Sequence, residues 1–256
     1  MQNNTSLGQH WLKDRLTLEA IADCAEIWQT DTVLEIGPGL GTLTSVLLQR
    51  AKEVIAVEFD AELARKLPAQ FPGKRLTVYQ QDILRFDLGQ LPAGYKVVAN
   101  VPYYITSKIV QLLLEATNPP SVAVLLVQKE VAERLAARPG DMSVLSVAAQ
   151  VYAEVGLGPV VPAEYFTPPP KVDSQVVILR RYDEPLFDAV APAHFFRVVK
   201  AGFGERRKKL RSSLAGGLAL DKSAIDELLR QCGLAADVRA QELSLQDWVK
   251  LARRVQ

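Results

Sequence analysis

The residues of this chain best suited to chemistry are Asn100, Pro102 and Tyr103, which follow the apolar segment 95–99. An asparagine side-chain oxygen and a nearby backbone carbonyl can both accept hydrogen bonds from an amino group. Proline lacks an N–H and fixes its φ angle, so Pro102 stiffens the corner, and a tyrosine ring can stack on a nucleobase. The pattern indicates a binding site for an amino group on a planar ring. A strand-to-helix turn with Asn100 as a helix cap is the alternative.

A glycine-rich turn lies upstream of this corner. The apolar segment 33–36 leads into Gly37, Gly39 and Gly41, and a helical pattern follows. Glycines allow tight turns and close approach of the backbone to a ligand, and the first N–H groups of a helix are free to bind it. The spacing differs from the G-x-G-x-x-G of dinucleotide-binding folds because Thr42 stands at the last glycine position. Alone, the turn is a weak signal.

Acidic residues end the next two strand patterns. Glu58 closes the segment 54–57, 21 residues after Gly37, and Asp82 follows the segment 76–79. A carboxylate at position 58 can accept both ribose hydroxyls of a nucleoside cofactor, and one at position 82 can accept an adenine amino group. A surface glutamate and a helix-capping aspartate are the ordinary alternatives. Both residues stand at strand ends, as the glycine turn and Asn100 do. We therefore expect them to form a nucleoside-binding site at one edge of the sheet.

The elements that must position these residues form an α/β pattern. Strand and helix patterns alternate from residue 33 to about residue 137, which predicts a Rossmann-like, mostly parallel sheet with helices on both faces. The wholly apolar segment 122–127 is typical of a central parallel strand. We expect segments 144–151 and 172–179 to form an antiparallel edge. Helices are predicted at 16–25, 43–51, 61–67, 107–115 and 129–137.

Strand patterns stop near residue 182, and short helical segments with glycine breaks follow. We therefore predict a larger domain over residues 1–182 and a small all-α domain over 183–256. Hydrophobic residues make up 48% of the 256 residues, enough for a globular core. No apolar segment approaches the ~20 residues of a membrane span, and the polar N-terminus lacks a signal-peptide pattern. These features predict a cytoplasmic protein without a membrane association.

Metal-ligating residues are scarce. Cys24 and Cys232 are isolated, and the only histidines are His10 and His194. No spacing typical of a zinc site is present. We expect no metal centre.

Basic residues are concentrated in one segment of the chain. The net charge is +1, but residues 205–211 hold five basic residues and one acidic residue. Such a segment can track RNA phosphates, and a solvated helix face is the alternative. On a helix, positions 207 and 211 lie one turn apart. The predicted RNA-binding residues are Lys171, beside the proline run, and Arg206, Arg207, Lys208 and Arg211.

The motifs together resemble a known family. The order of G-P-G-L-G (37–41), V-E-F-D (57–60), Q-D-I-L (81–84) and N-V-P-Y-Y (100–104) resembles that of S-adenosylmethionine-dependent adenine-N6 methyltransferases. G-Q-H-W-L (8–12), F-T-P-P-P-K-V-D-S (166–174) and F-G-E-R-R-K-K-L-R-S-S-L (203–214) are similar to motifs of ribosomal RNA adenine dimethyltransferases of the small-subunit (KsgA, or RsmA) type. The Erm macrolide-resistance methyltransferases share the first motifs and are the nearest alternative.

The resemblance implies S-adenosyl-L-methionine as cofactor and methyl transfer to N6 of two adjacent adenosines in a 16S rRNA hairpin. It also implies a monomer that acts on the immature small ribosomal subunit. The target base would stack between Tyr103 and Phe166 while Asn100 and the Pro102 carbonyl accept from its amino group. The implied cofactor-binding residues are His10, Leu12, Gly37, Gly39, Glu58, Asp82, Ile83 and Asn100.

Three positions depart from the family pattern. His10 and Trp11 replace the asparagine and phenylalanine of G-Q-N-F-L, and Glu205 replaces a glutamine. A neutral imidazole can still donate one hydrogen bond, so His10 is expected to keep a contact at the carboxylate end of the cofactor.

Two other classes of function are compatible with part of the pattern. A nicotinamide-dependent dehydrogenase would use the glycine turn and Glu58 but has no need of the Asn100 corner. A non-catalytic RNA-binding or ribosome-assembly factor is the other class, and such a role could coexist with catalysis.

Overall fold

The computed structural model describes residues 10–187, 189–205 and 207–255. Its strands are β1 (Trp11–Leu12), β2 (Thr32–Ile36), β3 (Glu53–Glu58), β4 (Leu76–Gln80), β5 (Lys96–Asn100), β6 (Val122–Gln128), β7 (Ala153–Val161), β8 (Phe166–Thr167) and β9 (Ser174–Arg181). Its α-helices are α1 (Arg15–Asp23), α2 (Thr42–Arg50), α3 (Ala61–Gln70), α4 (Thr106–Glu115), α5 (Lys129–Leu135), α6 (Val144–Gln150), α7 (Pro192–Phe203), α8 (Leu210–Leu218), α9 (Lys222–Cys232) and α10 (Leu245–Arg254).

A seven-stranded sheet in the order β4-β3-β2-β5-β6-β9-β7 organises the fold. Strands β2 to β6 pair in parallel, and β9 runs antiparallel to β6. The chain builds outward from β2 to β4 and then returns to place β5 on the other side of β2. This reversal opens a crevice at the carboxyl ends of β2 and β5, where ligands of such sheets bind.

The central strands form the core because most of their side chains are apolar. Every residue of β2 is buried, and so are the five residues 123–127 inside β6. Helix α1 packs its buried residues Leu18 and Ile21 into the same core cluster. The predicted Rossmann-like sheet, with its antiparallel edge and helical C-terminal region, is confirmed. The five predicted helices are present as α1 to α5, with ends within three residues of the predicted ones.

The residues predicted for one side of the antiparallel edge are wrong. Segment 144–151 is helix α6, which Ser143 and Ser146 start with reciprocal capping hydrogen bonds. A short apolar run does not distinguish a buried strand from a helix. The edge strand is β7 instead, which contains Gly156, Gly158 and Pro159. Such residues disfavour a strand interior and are tolerated at an edge.

The residues divide into two compact units. One comprises the described part of 1–133 with Glu154–Arg181, and the other comprises Arg134–Ala153 with the described part of 182–256. The second unit contains α6 to α10. Inside it, Phe203 stacks on the buried Trp248 at a ring-centroid distance of 5.3 Å. The predicted division into domains 1–182 and 183–256 stays a prediction.

Among the residues that the structure describes, no helix is both long enough and apolar enough to cross a membrane.

Candidate functional site

A cavity that is partly open to solvent lies where β1 meets the carboxyl ends of β2, β3 and β5. The cavity brings together most of the predicted catalytic and cofactor-binding residues. Those on its wall are His10, Leu12, Gly37, Gly39, Glu58, Asn100, Pro102 and Tyr103.

The glycine turn forms one wall of the cavity in backbone conformations that favour glycine. Gly37 and Gly39 have φ angles of +66° and +56°, in the left-handed region. A Cβ on Gly37 would point into open space, whereas one on Gly39 would lie 3.3 Å from Nε1 of Trp11. The Gly37 N–H donates to the carbonyl of Val57 at 2.9 Å, which ties the turn to the neighbouring strand.

Glu58 is a buried carboxylate whose orientation is fixed by two backbone donors. The Gly39 N–H donates to Oε2 at 3.1 Å, and the Asp60 N–H donates to Oε1 at 2.8 Å. Burial raises the pKa of Glu58, and the backbone hydrogen bonds oppose that rise. A carboxylate has about four acceptor positions, so each oxygen keeps one for a ligand. This geometry suits a pair of vicinal hydroxyls.

A second buried carboxylate, Glu35, was not predicted from the sequence. It lies on the cavity wall with only 1% of its surface exposed, and Oε2 accepts from the Thr44 hydroxyl at 2.6 Å. Burial raises its pKa to about 8; the Thr44 hydrogen bond opposes this, and the charge of Glu58 adds to it. The sequence signal that could have found it is a single glutamate inside the apolar strand β2.

Asn100 ends β5, and its side chain does not cap the following helix. Nδ2 donates to the carbonyl of His10 at 3.2 Å, an assignment that follows from the hydrogen-bond network. This bond leaves Oδ1 as the acceptor of an amide that lines the cavity. Helix α4 begins without a side-chain cap. The alternative of Asn100 as a helix cap is therefore wrong.

Pro102 and Tyr103 continue the corner. The Pro102 carbonyl accepts from the Ile105 N–H at 3.2 Å and from the Thr106 hydroxyl at 3.4 Å, so both of its lone pairs are engaged within the protein. The Tyr103 hydroxyl lies 2.7 Å from Oγ of the fully buried Ser174. Burial raises the pKa of the Tyr103 phenol. The hydroxyl hydrogen bond fixes the ring in place on the cavity wall.

His10 connects the N-terminal strand to the proline-rich loop. Its Nδ1 lies 2.7 Å from the Pro168 carbonyl, an acceptor, so the ring nitrogen must donate. Its ring also stacks on Tyr103, with centroids 5.9 Å apart and planes 20° from parallel. Strand β1 pairs antiparallel with β8 beside it. The single N–H of a neutral His10 is therefore used within the protein and is not available to a cofactor carboxylate.

Three predicted site residues do not lie on the cavity wall. Phe166 is 2% exposed and packs in the core cluster with Leu12. The Asp82 carboxylate accepts from the Leu84 N–H at 3.0 Å and caps a short 3₁₀ helix, and Ile83 is buried. The stacking role of Phe166 and the cofactor contacts of Asp82 and Ile83 stay predictions.

Arg207 and Lys208 of the basic segment lie between α7 and α8, whereas Arg211 lies in α8, so positions 207 and 211 are not neighbours on one helix face. Lys208 pairs with Glu205 at 2.5 Å, and Arg211 pairs with Asp226 at 2.5 Å. Arg206 lies outside the described residues. Lys171 and Arg207 are exposed and form no ion pair with another described residue.

Two exposed aromatic residues on the cavity wall were also missed. Phe59 and Tyr104 are 60% and 67% exposed. Each directly follows a predicted site residue, and that adjacency is the signal that could have found them.

The parallel sheet, the glycine turn and the buried carboxylate at the end of β3 suit a nucleoside cofactor, and the Asn100 corner in the same cavity is typical of S-adenosylmethionine-dependent methyltransferases. Comparison with known proteins makes the assignment specific: the chain belongs to the ribosomal RNA adenine dimethylase family, whose model matches residues 1–256. It is thus an S-adenosylmethionine-dependent rRNA adenine methyltransferase.

Individual relatives agree with this family. The chain is 43% identical over 250 residues to the ribosomal RNA small subunit methyltransferase A of Dehalococcoides mccartyi (strain CBDB1), covering 96% of this chain and 86% of the relative. It is 30% identical to the 23S rRNA methyltransferase ErmE, with a TM-score of 0.79 over 96% of this chain and 99% of that one. A dimethyladenosine transferase from Plasmodium falciparum has a TM-score of 0.81 at 27% identity, over 94% and 96% of the two chains.

The residues present fit S-adenosylmethionine. Glu58 offers two oriented acceptor positions, which suit a ribose diol. Gly37 leaves open space beside the backbone where a side chain would otherwise project. The fit does not include the predicted carboxylate contact of His10, because the neutral ring has no second N–H to donate.

Proposed function

We propose that this protein transfers methyl groups to N6 of two adjacent adenosines in a 16S rRNA hairpin and forms N6,N6-dimethyladenosine. The observation that carries the proposal is the Asn100 amide, whose Nδ2 is held by the His10 carbonyl so that Oδ1 is the acceptor. That acceptor belongs to the same cavity as Glu58 and the glycine turn. The predicted cofactor-binding residues and an acceptor for an amino group thus line the same cavity.

Bound S-adenosylmethionine supplies an electrophilic methyl group. The adenine N6 is a weak nucleophile because its lone pair is delocalised into the ring. Oδ1 of Asn100 would accept a hydrogen bond from the N6 amino group, favour a more tetrahedral nitrogen and stabilise its growing positive charge. The Pro102 carbonyl would serve as the second acceptor by exchanging its 3.4 Å hydrogen bond from the Thr106 hydroxyl for one from the amino group. The residues act by positioning and by electrostatic stabilisation, without a covalent intermediate on the protein.

The base must leave its stack to reach this corner. Tyr103 would provide the stacking surface, and its hydroxyl bond to Ser174 holds the ring in a fixed orientation before the base arrives. A preorganised ring loses little freedom when the base binds. The second stacking wall, assigned to Phe166, would require this buried side chain to become accessible.

The partner would be rRNA within the immature small subunit, bound by a monomer in the cytoplasm. Lys171 and Arg207 are the predicted basic residues whose charges are not paired with another described residue, so they are the best candidates for phosphate contacts. Paired cations such as Arg211 would have to exchange a carboxylate for a phosphate.

The substrate is tested by methyl transfer from tritiated S-adenosylmethionine to purified immature small subunits and, in parallel, to large-subunit precursors. We expect label in the small-subunit RNA alone, with an initial rate of labelling ~10²–10³-fold lower for the Asn100→Ala variant. Label in the large-subunit RNA alone would favour the Erm-type alternative. Assembly activity without any label would favour a non-catalytic factor.

A further inference from the structure

Two consecutive tyrosines of the Asn100 corner lie in different environments. Tyr103 is held by Ser174 and His10, as described above. Tyr104 is 67% exposed, lines the rim of the same cavity, and has neither a hydrogen bond nor a ring contact from its side chain to any other described residue. An exposed aromatic ring at the rim of a site offers a free face for stacking.

The backbone under Tyr104 is fixed although its ring is free. Residues 103–105 form a 3₁₀ turn, closed by the hydrogen bond from the Ile105 N–H to the Pro102 carbonyl at 3.2 Å. Pro102 restricts the turn on one side, and α4 continues it on the other. The ring is therefore carried by a rigid corner and needs no reordering of the chain to bind a planar partner.

A cation follows four residues later in the chain. Lys108 is exposed in the first turn of α4 and forms no ion pair with another described residue. The 3₁₀ turn that contains Tyr104 leads directly into this helix. Tyr104 and Lys108 thus combine an aromatic face with a positive charge, the two elements that bind a nucleotide of a single strand.

We propose that Tyr104 stacks on the nucleobase adjacent to the target adenine and that Lys108 contacts the phosphate of that nucleotide. The inference rests on the proposed RNA substrate. When the target base leaves its stack, the neighbouring base loses one stacking partner. The Tyr104 ring replaces that stacking partner at the rim of the cavity, while the target adenine stacks on Tyr103.

The test is a chemical double-mutant cycle. The probe is a fluorescein-labelled synthetic RNA hairpin with two adjacent adenosines in its loop, together with copies that carry an abasic ribose on the 5′ or the 3′ side of the target. The dissociation constants of wild-type protein, Tyr104→Ala and Tyr104→Phe are measured by anisotropy. Trp28→Ala is the matched control, since Trp28 is 69% exposed and does not line the cavity.

For the intact RNA, Tyr104→Ala should weaken binding by roughly 5- to 150-fold, the range of base–aromatic stacking. Tyr104→Phe and Trp28→Ala should bind like wild type. One abasic RNA should weaken binding to wild type but cause no further loss with Tyr104→Ala. Lys108→Ala should lower the salt slope of binding by about 0.7. The affinity of Tyr104→Ala for S-adenosylmethionine should equal that of wild type.

If the loss of affinity caused by Tyr104→Ala and the loss caused by the abasic site multiply independently for both abasic RNAs, the proposed stacking contact is wrong. The proposed function is unaffected by that result. A wild-type protein that binds no hairpin and methylates no rRNA would overturn the proposed function, and the stacking contact with it.

Discussion

The buried carboxylate Glu35 should make the stability of the protein depend on pH. Its pKa is raised to about 8 by burial, from an ordinary value of 4.5. Between these values the folded protein retains a proton that the unfolded chain releases. The free energy of unfolding should therefore fall as the pH rises through this window, with the loss complete above about pH 8.

The size of the loss follows from the same two values. Each tenfold change in proton affinity corresponds to about 1.4 kcal/mol, so the complete effect is on the order of 5 kcal/mol. Glu35→Gln should abolish it, because the amide is uncharged at every pH and its oxygen can still accept from the Thr44 hydroxyl, now 2.6 Å from Oε2. Glu58, whose pKa is also raised, contributes in the same direction but is present in both proteins.

The assay is urea unfolding of cofactor-free protein from pH 5 to pH 9. The free energy of unfolding of Glu35→Gln minus that of wild type should rise by up to about 1.4 kcal/mol per pH unit between the two pKa values of Glu35. Glu164→Gln, which changes an exposed glutamate, should give a profile parallel to that of wild type. Identical pH slopes for Glu35→Gln and wild type would refute the reasoning, because they would mean that Glu35 ionises alike in both states.

Three further predictions concern the cavity and the basic segment. Glu58→Gln should weaken S-adenosylmethionine binding by about 10- to 150-fold, since a charge-assisted hydrogen bond contributes ~1.5–3 kcal/mol; unchanged affinity in calorimetry would contradict the ribose assignment. Asn100→Ala should lower the single-turnover rate by ~10²–10³-fold with a much smaller effect on cofactor affinity; a near-normal rate would remove Asn100 from the chemistry. Arg207→Ala should reduce the salt slope of RNA binding by about 0.7, whereas Arg211→Ala should leave it unchanged because Arg211 pairs with Asp226; equal slopes for Arg207→Ala and wild type would count against the phosphate contact.

The sequence predicted that Gly37, Glu58 and Asn100 lie together, because its signals are local. Gly37, Glu58 and Asn100 each stand at a strand end, and parallel strands bring such ends to one edge. The strand period and the glycine conformations are properties of short segments, so a single sequence is enough to place them.

What the sequence could not supply is the outcome of long-range packing. The pairing of β1 with β8 buries Phe166, although its motif suggested an open stacking wall. The salt bridge of Arg211 joins residues 15 positions apart, and the high pKa of Glu35 depends on the strands around it. The assignment of segment 144–151 failed because its apolar run satisfies both helix and strand, and the serine cap decided the matter.

The proposed reaction is tested most directly by nucleoside analysis by mass spectrometry of immature small-subunit RNA after reaction with isotopically labelled S-adenosylmethionine. We predict labelled N6,N6-dimethyladenosine at two adjacent positions of one hairpin, and an initial rate of labelling ~10²–10³-fold lower with Asn100→Ala. Labelled methyl groups on any other base or on ribose, or N6-monomethyladenosine as the sole product at saturation, would contradict it.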